Sequence, residues 1–285
     1  MSNFKDKTMQ YFVFCQSDLV LEKVGDSYQI PTEQPVEVKP WTTVMDIDGA
    51  KAYRIDAPIA AHPSGTSTAV SNHKLQTSNI KLQKTYEMCP LRQSYYKLPE
   101  ADYLKAGKCH ELLYWDQNTK FCGVCGGPMR FDTAISKKCE HCGKEVWPQL
   151  AIAIIVLVRR RVTDSSGAAR DEVLLVHANS FRDDHYGLVA GFVETGETLE
   201  EAVHREVMEE TGLHITNLRY FGSQPWPYPC GLMVGYTADY DHGKIHLQRS
   251  ELSKGSWFDR EHLPHIPEKL SIARHLIDAW LEEVK

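Results

Sequence analysis

The sequence lacks the hallmarks of several large protein classes. Its longest apolar run, Ala151–Val158, is far shorter than the roughly 20 residues that cross a bilayer as a helix, so we expect no membrane span. The first residues contain no extended apolar core and no small-residue cleavage site, which predicts a cytoplasmic protein without a signal peptide. The formal net charge of −6 provides no global basic field to attract nucleic acid. With 285 residues and no internal repeat, the chain is long enough for two domains with their own cores.

Eight cysteines are present, and four of them follow a metal-ligand pattern. In a cytoplasmic chain, cysteines are more often ligands or free thiols than disulfides. The two Cys-x2-Cys pairs are separated by thirteen residues and consist of Cys122, Cys125, Cys139 and Cys142. This spacing is typical of a zinc ribbon. Because four sulfur ligands fill the tetrahedron, we expect a structural Zn²⁺ with no catalytic role.

The chain divides into three predicted parts. Residues 1–115 are rich in Val, Thr, Tyr and Pro in short alternating runs, which predicts a β-rich domain with a helix near Glu100–Ala106. Residues 116–147 would form the zinc ribbon, and residues 148–285 would form a third domain that carries the chemistry.

The third domain alternates between strand and helix signals. Four strands are predicted, at 151–158, 172–177, 218–222 and 231–240. The first of them is apolar throughout and should be buried on both faces. Asp241–Gly243 resembles a hairpin turn. An apolar stripe at helical spacing predicts a last helix from about Glu268, with Pro267 in its first turn.

Three glutamates share one face of a predicted helix. Glu206, Glu209 and Glu210 occupy positions i, i+3 and i+4, where their carboxylates repel one another unless a cation lies among them. Oxygen ligands suit Mg²⁺ or Mn²⁺. A Thr-x-x-Glu capping box at Thr198–Glu201 predicts that the helix begins near Leu199. Taken alone, adjacent glutamates are more often a solvated acidic face, so the residues around them decide the interpretation.

The acidic helix belongs to a longer pattern, G-x5-E-x7-R-E-U-x-E-E-x-G-U, in which U is aliphatic. Its nine fixed places are filled by Gly191, Glu197, Arg205, Glu206, Val207, Glu209, Glu210, Gly212 and Leu213. The segment therefore resembles the Nudix box. The resemblance implies an α+β chain in which a Nudix α/β/α sandwich with a mixed sheet follows the zinc ribbon and the β-rich N-terminal domain. It also implies an enzyme that hydrolyses nucleoside diphosphates linked to another moiety.

A second motif lies ten residues beyond the box. Residues 223–229 read SQPWPYP, and the three alternating prolines stiffen the backbone because each fixes φ. Trp226 and Tyr228 would therefore be held with little freedom. Rigid rings of this kind either stack a nucleobase or plug a core, and the residues alone leave both interpretations open.

The order of ribbon, box and SQPWP resembles the NADH pyrophosphatases over residues 121 to about 280. The family motif is S-Q-P-W-P-F-P-x-S, so Tyr228 stands for phenylalanine and Gly231 for the final serine. The first change keeps an aromatic face, and the second removes a hydroxyl. The resemblance implies metal-dependent hydrolysis of NAD(H) to AMP and nicotinamide mononucleotide, with NAD-capped RNA as a larger substrate.

The resemblance also implies roles for individual residues. The metal would be held by Glu206, Glu209, Glu210, Glu251 and the carbonyl of Gly191. Glu197 and Arg205 are expected to form a supporting pair that holds the loop to the helix.

Contacts with the substrate are implied for Phe192, Trp147, Gln224, Trp226, Tyr228 and Ala273. Phe192 would stack on the nicotinamide, and the backbone at Ala273 would lie near the adenosine. Trp147 stands where relatives carry a tyrosine that reaches the partner subunit's pocket, so a homodimer is implied.

Two other functions stay open from the sequence. One is a Nudix hydrolase for ADP-ribose or a diadenosine polyphosphate, which the glycine at position 231 favours. The other is a non-catalytic binding module, against which the complete glutamate set and the negative net charge argue.

Overall fold

The structure is a computed structural model that describes residues 8–59, 84–163, 167, 169–181 and 183–283. The chain forms two compact units, Met1–Gln149 and Leu150–Lys285. No helix in these described ranges is both long enough and apolar enough to cross a membrane. The division into three domains stays a prediction.

The first unit is built on a six-stranded sheet, as the alternating runs predict. The strands are β1 Tyr11–Cys15, β2 Asp18–Val24, β3 Ser27–Gln29, β4 Met45–Ile47, β5 Ala50–Arg54 and β6 Thr85–Pro90. Their order is β3-β2-β1-β5-β4, and β6 pairs with β2. The β1–β5 pair is parallel and the other pairs are antiparallel.

Two helices follow the sheet: α1 Leu91–Ser94 and α2 Glu100–Asn118. The predicted helix near Glu100 is confirmed, but it extends twelve residues beyond Ala106 and passes the predicted domain boundary at residue 115. Its first turn carries Glu100 and Asp102, whose negative charges favour the positive end of the helix dipole. After α2, the strands β7 Met129–Thr133, β8 Ser136–Cys139 and β9 Glu145–Val146 form a small antiparallel sheet.

The second unit contains a mixed sheet of six strands. These are β10 Ala151–Thr163, β11 Ala169–Ala178, β12 Val189–Phe192, β13 Leu213–Pro225, β14 Gly231–Gly243 and β15 Leu252–Asp259. The order is β13-β14-β10-β11-β15, with β12 also paired to β10. Among the described residues of this unit, the β10–β14 pair is parallel and the other strand pairs are antiparallel.

Strand β10 lies at the centre of the sheet and is covered on both faces. Ile154, Val156 and Val158 pack in a cluster with α3 Leu199–Thr211. The alternate residues Ile155 and Leu157 pack with α4 Ile272–Glu282. The prediction of a strand buried on both faces is therefore confirmed, and the three layers make the expected α/β/α sandwich.

The two antiparallel neighbours of β10 meet it over different stretches. Strand β12 pairs with Ala153–Val156, whereas β11 pairs with Arg159–Thr163. The chain leaves β11 after Ala178 and enters β12 at Val189, and among the described residues of this connection Gly187 forms a bridge back to Val176. β11 and β12 therefore diverge, and this fork opens a cleft in the sheet.

Several predicted boundaries are wrong. The predicted turn at Asp241–Gly243 is part of β14, because Gly243 pairs with Leu213 and His242 with His214 across a long ladder. The last helix begins at Ile272 rather than near Glu268, because the Ser271 side chain accepts a hydrogen bond from the Arg274 amide and caps it there. Pro267 consequently lies outside the helix.

Candidate active site and zinc centre

The four ribbon cysteines converge as a metal site requires. Their sulfur atoms all lie within 4.8 Å of one another. The Cys122–Cys142 sulfurs are 3.6 Å apart and the Cys125–Cys139 sulfurs 3.5 Å apart. A tetrahedron with Zn–S bonds of about 2.3 Å has sulfur–sulfur edges of roughly 3.8 Å, so the group fits Zn²⁺.

Backbone amides support two of these sulfurs. The amides of Val124 and His141 each donate to a cysteine sulfur at 3.4 Å, to Cys122 and Cys139 respectively. Hydrogen bonds from the backbone of Cys142 and His141 lower the pKa of the Cys139 thiol to about 6, which favours the thiolate that binds metal. A glycine with φ above 70° follows each Cys-x2-Cys pair, which allows the tight turn.

A buried ion pair joins the ribbon strand β8 to helix α2. Lys137 is 1% exposed, and its Nζ lies 2.7 Å from Asp116 Oδ1. The same ammonium donates to the carbonyls of Asp116 and Thr119 and lies over the rings of Trp115 and Phe131. Burial acts to raise the pKa of Asp116, but hydrogen bonds from Lys120 and Lys137 outweigh it and hold that pKa below its ordinary value.

The helix that carries the predicted metal ligands begins and ends where its caps require. Thr198 accepts from the Glu201 amide while the Glu201 carboxylate accepts from the Thr198 amide, so the predicted capping box is confirmed. Gly212 ends the helix in the left-handed region at φ 70°. These caps orient the helix so that Glu206 and Glu210 are buried, at 9% and 4% exposure.

Arg205 connects the loop before the helix to the acidic face. Its Nε lies 2.5 Å and its Nη2 3.0 Å from the two oxygens of Glu197. Nη1 bonds Glu206 at 2.9 Å and Glu209 at 3.2 Å. Nη2 also donates to the Phe192 carbonyl at 3.0 Å. The hydrogen bond from Arg205 lowers the pKa of Glu197 to about 2, so this carboxylate stays charged as the partner of the guanidinium.

Gly191 lies directly against the Glu206 carboxylate. A Cβ added to Gly191 would overlap the carboxylate carbon and both of its oxygens. Only glycine therefore lets the β12 backbone approach this side chain so closely. The contact brings the backbone of Gly191 beside Glu206, while the metal-ligand roles of both residues stay predictions.

Glu210 and Glu251 come together from different elements. Glu210 is in the last turn of α3, and Glu251 lies directly before β15. The two carboxyl groups are within hydrogen-bonding distance of each other. Burial, with repulsion from Glu206 and Glu251, raises the pKa of Glu210 to about 8. Within the described ranges, no three of these carboxylates bring their oxygens within 4.8 Å of one another. These carboxylates nevertheless repel one another, and a divalent cation among them would neutralise that repulsion. The oxygen donors therefore fit Mg²⁺ or Mn²⁺.

A cleft of about 560 Å³ opens beside this pair at the fork between β11 and β12. Glu210 and Glu251 line it together with Phe181, Leu188 and Ala190. Its size lies within the range of small-molecule sites. The ring of Phe181 is stacked on His185 at 4.1 Å between centroids, and this contact holds the ring in place.

The SQPWPYP string contributes both structural and exposed groups. The Gln224 amide is engaged at both ends, since its Nε2 donates to the Leu270 carbonyl and its Oε1 accepts from the Ile272 amide at the start of α4. Trp226 and Tyr228 are half-buried and meet edge to face, 5.1 Å between centroids. Their rings are thus fixed relative to each other, as the prolines predict.

The remaining predicted contacts differ in exposure. Phe192 is 65% exposed and Trp147, which belongs to the first unit, is 53% exposed. Both rings are therefore available to a ligand. Ala273 is buried in the first turn of α4, where its side chain packs in the core and only its backbone can meet a substrate.

Comparison with known proteins identifies the family. Residues 150–280 match the NUDIX domain. The chain is 40% identical over 200 residues to the NAD-capped RNA hydrolase NudC of Shigella dysenteriae serotype 1, which covers 70% of this chain and 74% of that protein. It is 42% identical over 249 residues to the NAD-capped RNA hydrolase NudC of Pectobacterium atrosepticum, covering 84% of this chain and 90% of that protein.

The chain belongs to the Nudix hydrolase family. The predicted resemblance is thereby confirmed, as are the class of enzyme and the fold. Among solved structures, the NUDIX hydrolase from Nitrosomonas europaea is similar with a TM-score of 0.47 and 20% identity, covering 58% of this chain and 92% of that chain.

Sequence reasoning missed two groups beside the Nudix box. Asn179 and Phe181 lie in the fork between β11 and β12 and line the cleft, yet no motif includes them. The polar stretch between two apolar runs could have indicated these residues, because loops at the ends of strands often carry binding residues. The Asp116–Lys137 pair was missed because its partners lie 21 positions apart on elements with no shared pattern.

Proposed function

We propose that this Nudix hydrolase cleaves the diphosphate of NAD(H) to give AMP and nicotinamide mononucleotide, and that it removes NAD caps from RNA. The observation that carries the proposal is the Glu210–Glu251 carboxylate pair that lines the cleft, in which Glu210 is buried and Glu251 is exposed. Similarity to proteins named NAD-capped RNA hydrolase over most of the chain supports the choice of substrate.

In this proposal, Glu206, Glu209, Glu210, Glu251 and the carbonyl of Gly191 hold Mg²⁺ or Mn²⁺. When bound, such an ion neutralises the phosphate oxygens and lowers the pKa of the attacking water. One carboxylate of the set accepts the proton that the water loses. Arg205 keeps the carboxylates of Glu206 and Glu209 in place through its hydrogen bonds, so the donors are preorganised.

The rest of the substrate contacts aromatic rings and backbone groups in this proposal. Phe192 follows directly on Gly191 and offers a ring for stacking the nicotinamide. Trp226 and Tyr228 provide a second rigid aromatic wall, and Gln224 holds the start of α4 where the Ala273 backbone would meet the adenosine. Trp147 would act in a homodimer. Zn²⁺ at the four cysteines would be structural, and a cytoplasmic location is part of the same proposal.

A second substrate class is favoured by one observation. A Cβ at Gly231 would lie 3.1 Å from the Ala151 carbonyl oxygen and 3.3 Å from that of Trp226, so the backbone here leaves little room for the serine of the resembled motif. A changed pocket could favour ADP-ribose or a diadenosine polyphosphate. The same experiment separates the two candidates.

The test is product analysis with the purified full chain and Mn²⁺ or Mg²⁺. NADH, NAD⁺, NAD-capped RNA, ADP-ribose and a diadenosine polyphosphate are incubated separately, and the nucleotides are separated by chromatography. We expect AMP and reduced nicotinamide mononucleotide from NADH, and release of nicotinamide mononucleotide from the capped RNA. Rapid cleavage of ADP-ribose without turnover of NADH would overturn the proposed substrate.

Glu210→Gln tests the site itself. Loss of a supporting hydrogen bond to a metal ligand commonly costs about 10–100-fold, so loss of a ligand should lower kcat at least about a hundredfold. Glu200→Gln is the matched control, because Glu200 is an exposed glutamate in the first turn of the same helix. If Glu210→Gln hydrolysed NADH at the wild-type rate, the assigned site would be wrong.

A further inference from the structure

The segment that presents Glu251 is attached to the end of helix α3 through its backbone. The His246 amide donates to the Thr211 carbonyl at 2.8 Å, and the Gln248 amide donates to the Glu210 carbonyl at 2.9 Å. The Glu251 amide then donates to the Gln248 carbonyl at 3.0 Å. One side of the segment is thus fixed to the helix that carries Glu210.

Asn179 holds the other side of the same segment. It follows directly on the last residue of β11 and lines the cleft. Its side-chain Nδ2 donates to the carbonyls of Arg249 and Ser250, at 3.1 Å and 3.0 Å. Its backbone amide donates to the Glu251 carbonyl at 2.7 Å. A single residue therefore makes three hydrogen bonds to three consecutive residues that end at Glu251.

These bonds oppose a force that the site itself generates. Glu210 and Glu251 are carboxylates at hydrogen-bonding reach of each other, and the nearby Glu206 adds a third like charge. When both carboxylates are ionised, as ligands of a cation are, their like charges drive the segment carrying Glu251 away from the helix. The two side-chain bonds from Asn179 resist that displacement, because both acceptors lie directly before Glu251 in the chain.

We propose that Asn179 is a positioning residue that holds Glu251 at ligand distance from Glu210 for the divalent cation. The inference rests on the proposed function, in which Glu251 is a metal ligand. Asn179 touches neither the cation nor the substrate phosphates in this assignment and acts through the backbone of residues 249–251.

The experiment measures Mn²⁺ binding by electron paramagnetic resonance of the free ion, using the full chain without substrate. Asn179→Ala removes both side-chain donors and keeps the backbone amide. Asn179→Ser retains one donor. Ser253→Ala is the matched control, since the Ser253 hydroxyl donates to the His177 carbonyl at 3.0 Å between the same two strands but not to residues 249–251. Glu251→Gln reports on the ligand itself.

We expect Asn179→Ala to weaken Mn²⁺ binding about tenfold, with Asn179→Ser between it and the wild type. Ser253→Ala should bind Mn²⁺ with the affinity of the wild type. We expect this even if both variants lower the melting temperature by the same amount. At limiting Mn²⁺ the NADH turnover of Asn179→Ala should fall, and excess Mn²⁺ should restore it.

Three results separate the possible failures. If Glu251→Gln weakens Mn²⁺ binding and Asn179→Ala does not, the positioning role is wrong while the proposed function stands. If Ser253→Ala and Asn179→Ala lose Mn²⁺ affinity equally, the loss reflects lower stability of the protein. The proposed positioning role of Asn179 would then be wrong. If the wild type binds no Mn²⁺ and cleaves no dinucleotide, the proposed function fails first.

Discussion

Two buried carboxylates in this molecule have the same exposure and opposite surroundings. Asp116 and Glu210 are each 4% exposed. Two lysines bond Asp116, whereas Glu210 faces Glu206, Glu209 and Glu251. The pKa of Asp116 lies below its ordinary value, and that of Glu210 is raised to about 8. Burial alone therefore does not mark a functional carboxylate; the sign of the charges that surround it does.

The comparison implies that Asp116 serves the fold and Glu210 serves the chemistry. A carboxylate whose charge is balanced inside the protein needs no external ion. A carboxylate surrounded by other carboxylates is destabilised in its charged form until it binds a cation or a proton. Three changes test this distinction, beginning with the largest expected effect.

Asp116→Asn should destabilise the first unit by about 3–5 kcal/mol, because Lys137 would remain charged and buried without its carboxylate. The free energy of unfolding is measured by urea titration. The double variant Asp116→Asn/Lys137→Met should recover most of the loss, since an apolar side chain replaces the unpaired charge. A loss of less than about 1 kcal/mol in Asp116→Asn would show that the pair is not the structural support inferred here.

The metal-free protein should lose stability as the pH rises. The pKa of Glu210 in the folded state, about 8, lies above the ordinary 4.5, so between these values the folded state binds more protons than the unfolded state. Stability is then fully present below about pH 4.5 and is lost as the pH passes through 8. We expect a fall of roughly 2–4 kcal/mol, after allowance for solvent screening.

Calorimetry between pH 5 and 8 measures this effect, with Glu210→Gln as the reference. The variant has no titrating group at this position, so its melting temperature should change less over the same range. Asp116 should contribute nothing here, because its lowered pKa places its own loss of stability at acid pH. Parallel profiles for wild type and Glu210→Gln would contradict the raised pKa.

Gly191→Ala should have the smallest effect, on metal binding rather than on folding. The added methyl group overlaps the Glu206 carboxylate, which is the movable end of a side chain and can shift aside. We expect Mn²⁺ affinity to fall about tenfold, with a small change in melting temperature. Gly196→Ala is a useful contrast, because a Cβ there meets no atom within 4 Å although its φ of 96° strains any other residue. It should lower stability and leave Mn²⁺ affinity unchanged.

Local signals predicted what local contacts determine. The start of helix α3 follows from the capping box of Thr198 and Glu201, and the predicted start near Leu199 was correct for that reason. The cysteine spacing likewise carried enough information to predict the convergence of four sulfurs. The arrangement of the two cores around β10 followed from one apolar run.

What was missed depends on partners distant in the chain. Asp241–Gly243 form strand because β13 extends far enough to pair with them, which a three-residue turn signature does not encode. Asn179 lies 72 positions before Glu251, and no periodicity connects them. Phe181 likewise lines the cleft because the fold brings the loop after β11 close to Glu210 of α3.

The unequal pairing of β10 has a consequence for how this scaffold can vary. Its thirteen residues are shared by two shorter neighbours, and the ten residues that link those neighbours are not part of the main ladder. Lengthening or shortening this connection would resize the entrance without shifting α3, which stays anchored to the shared strand. The range of substrates that fit the cleft can therefore change while the geometry of the acidic residues on α3 stays the same.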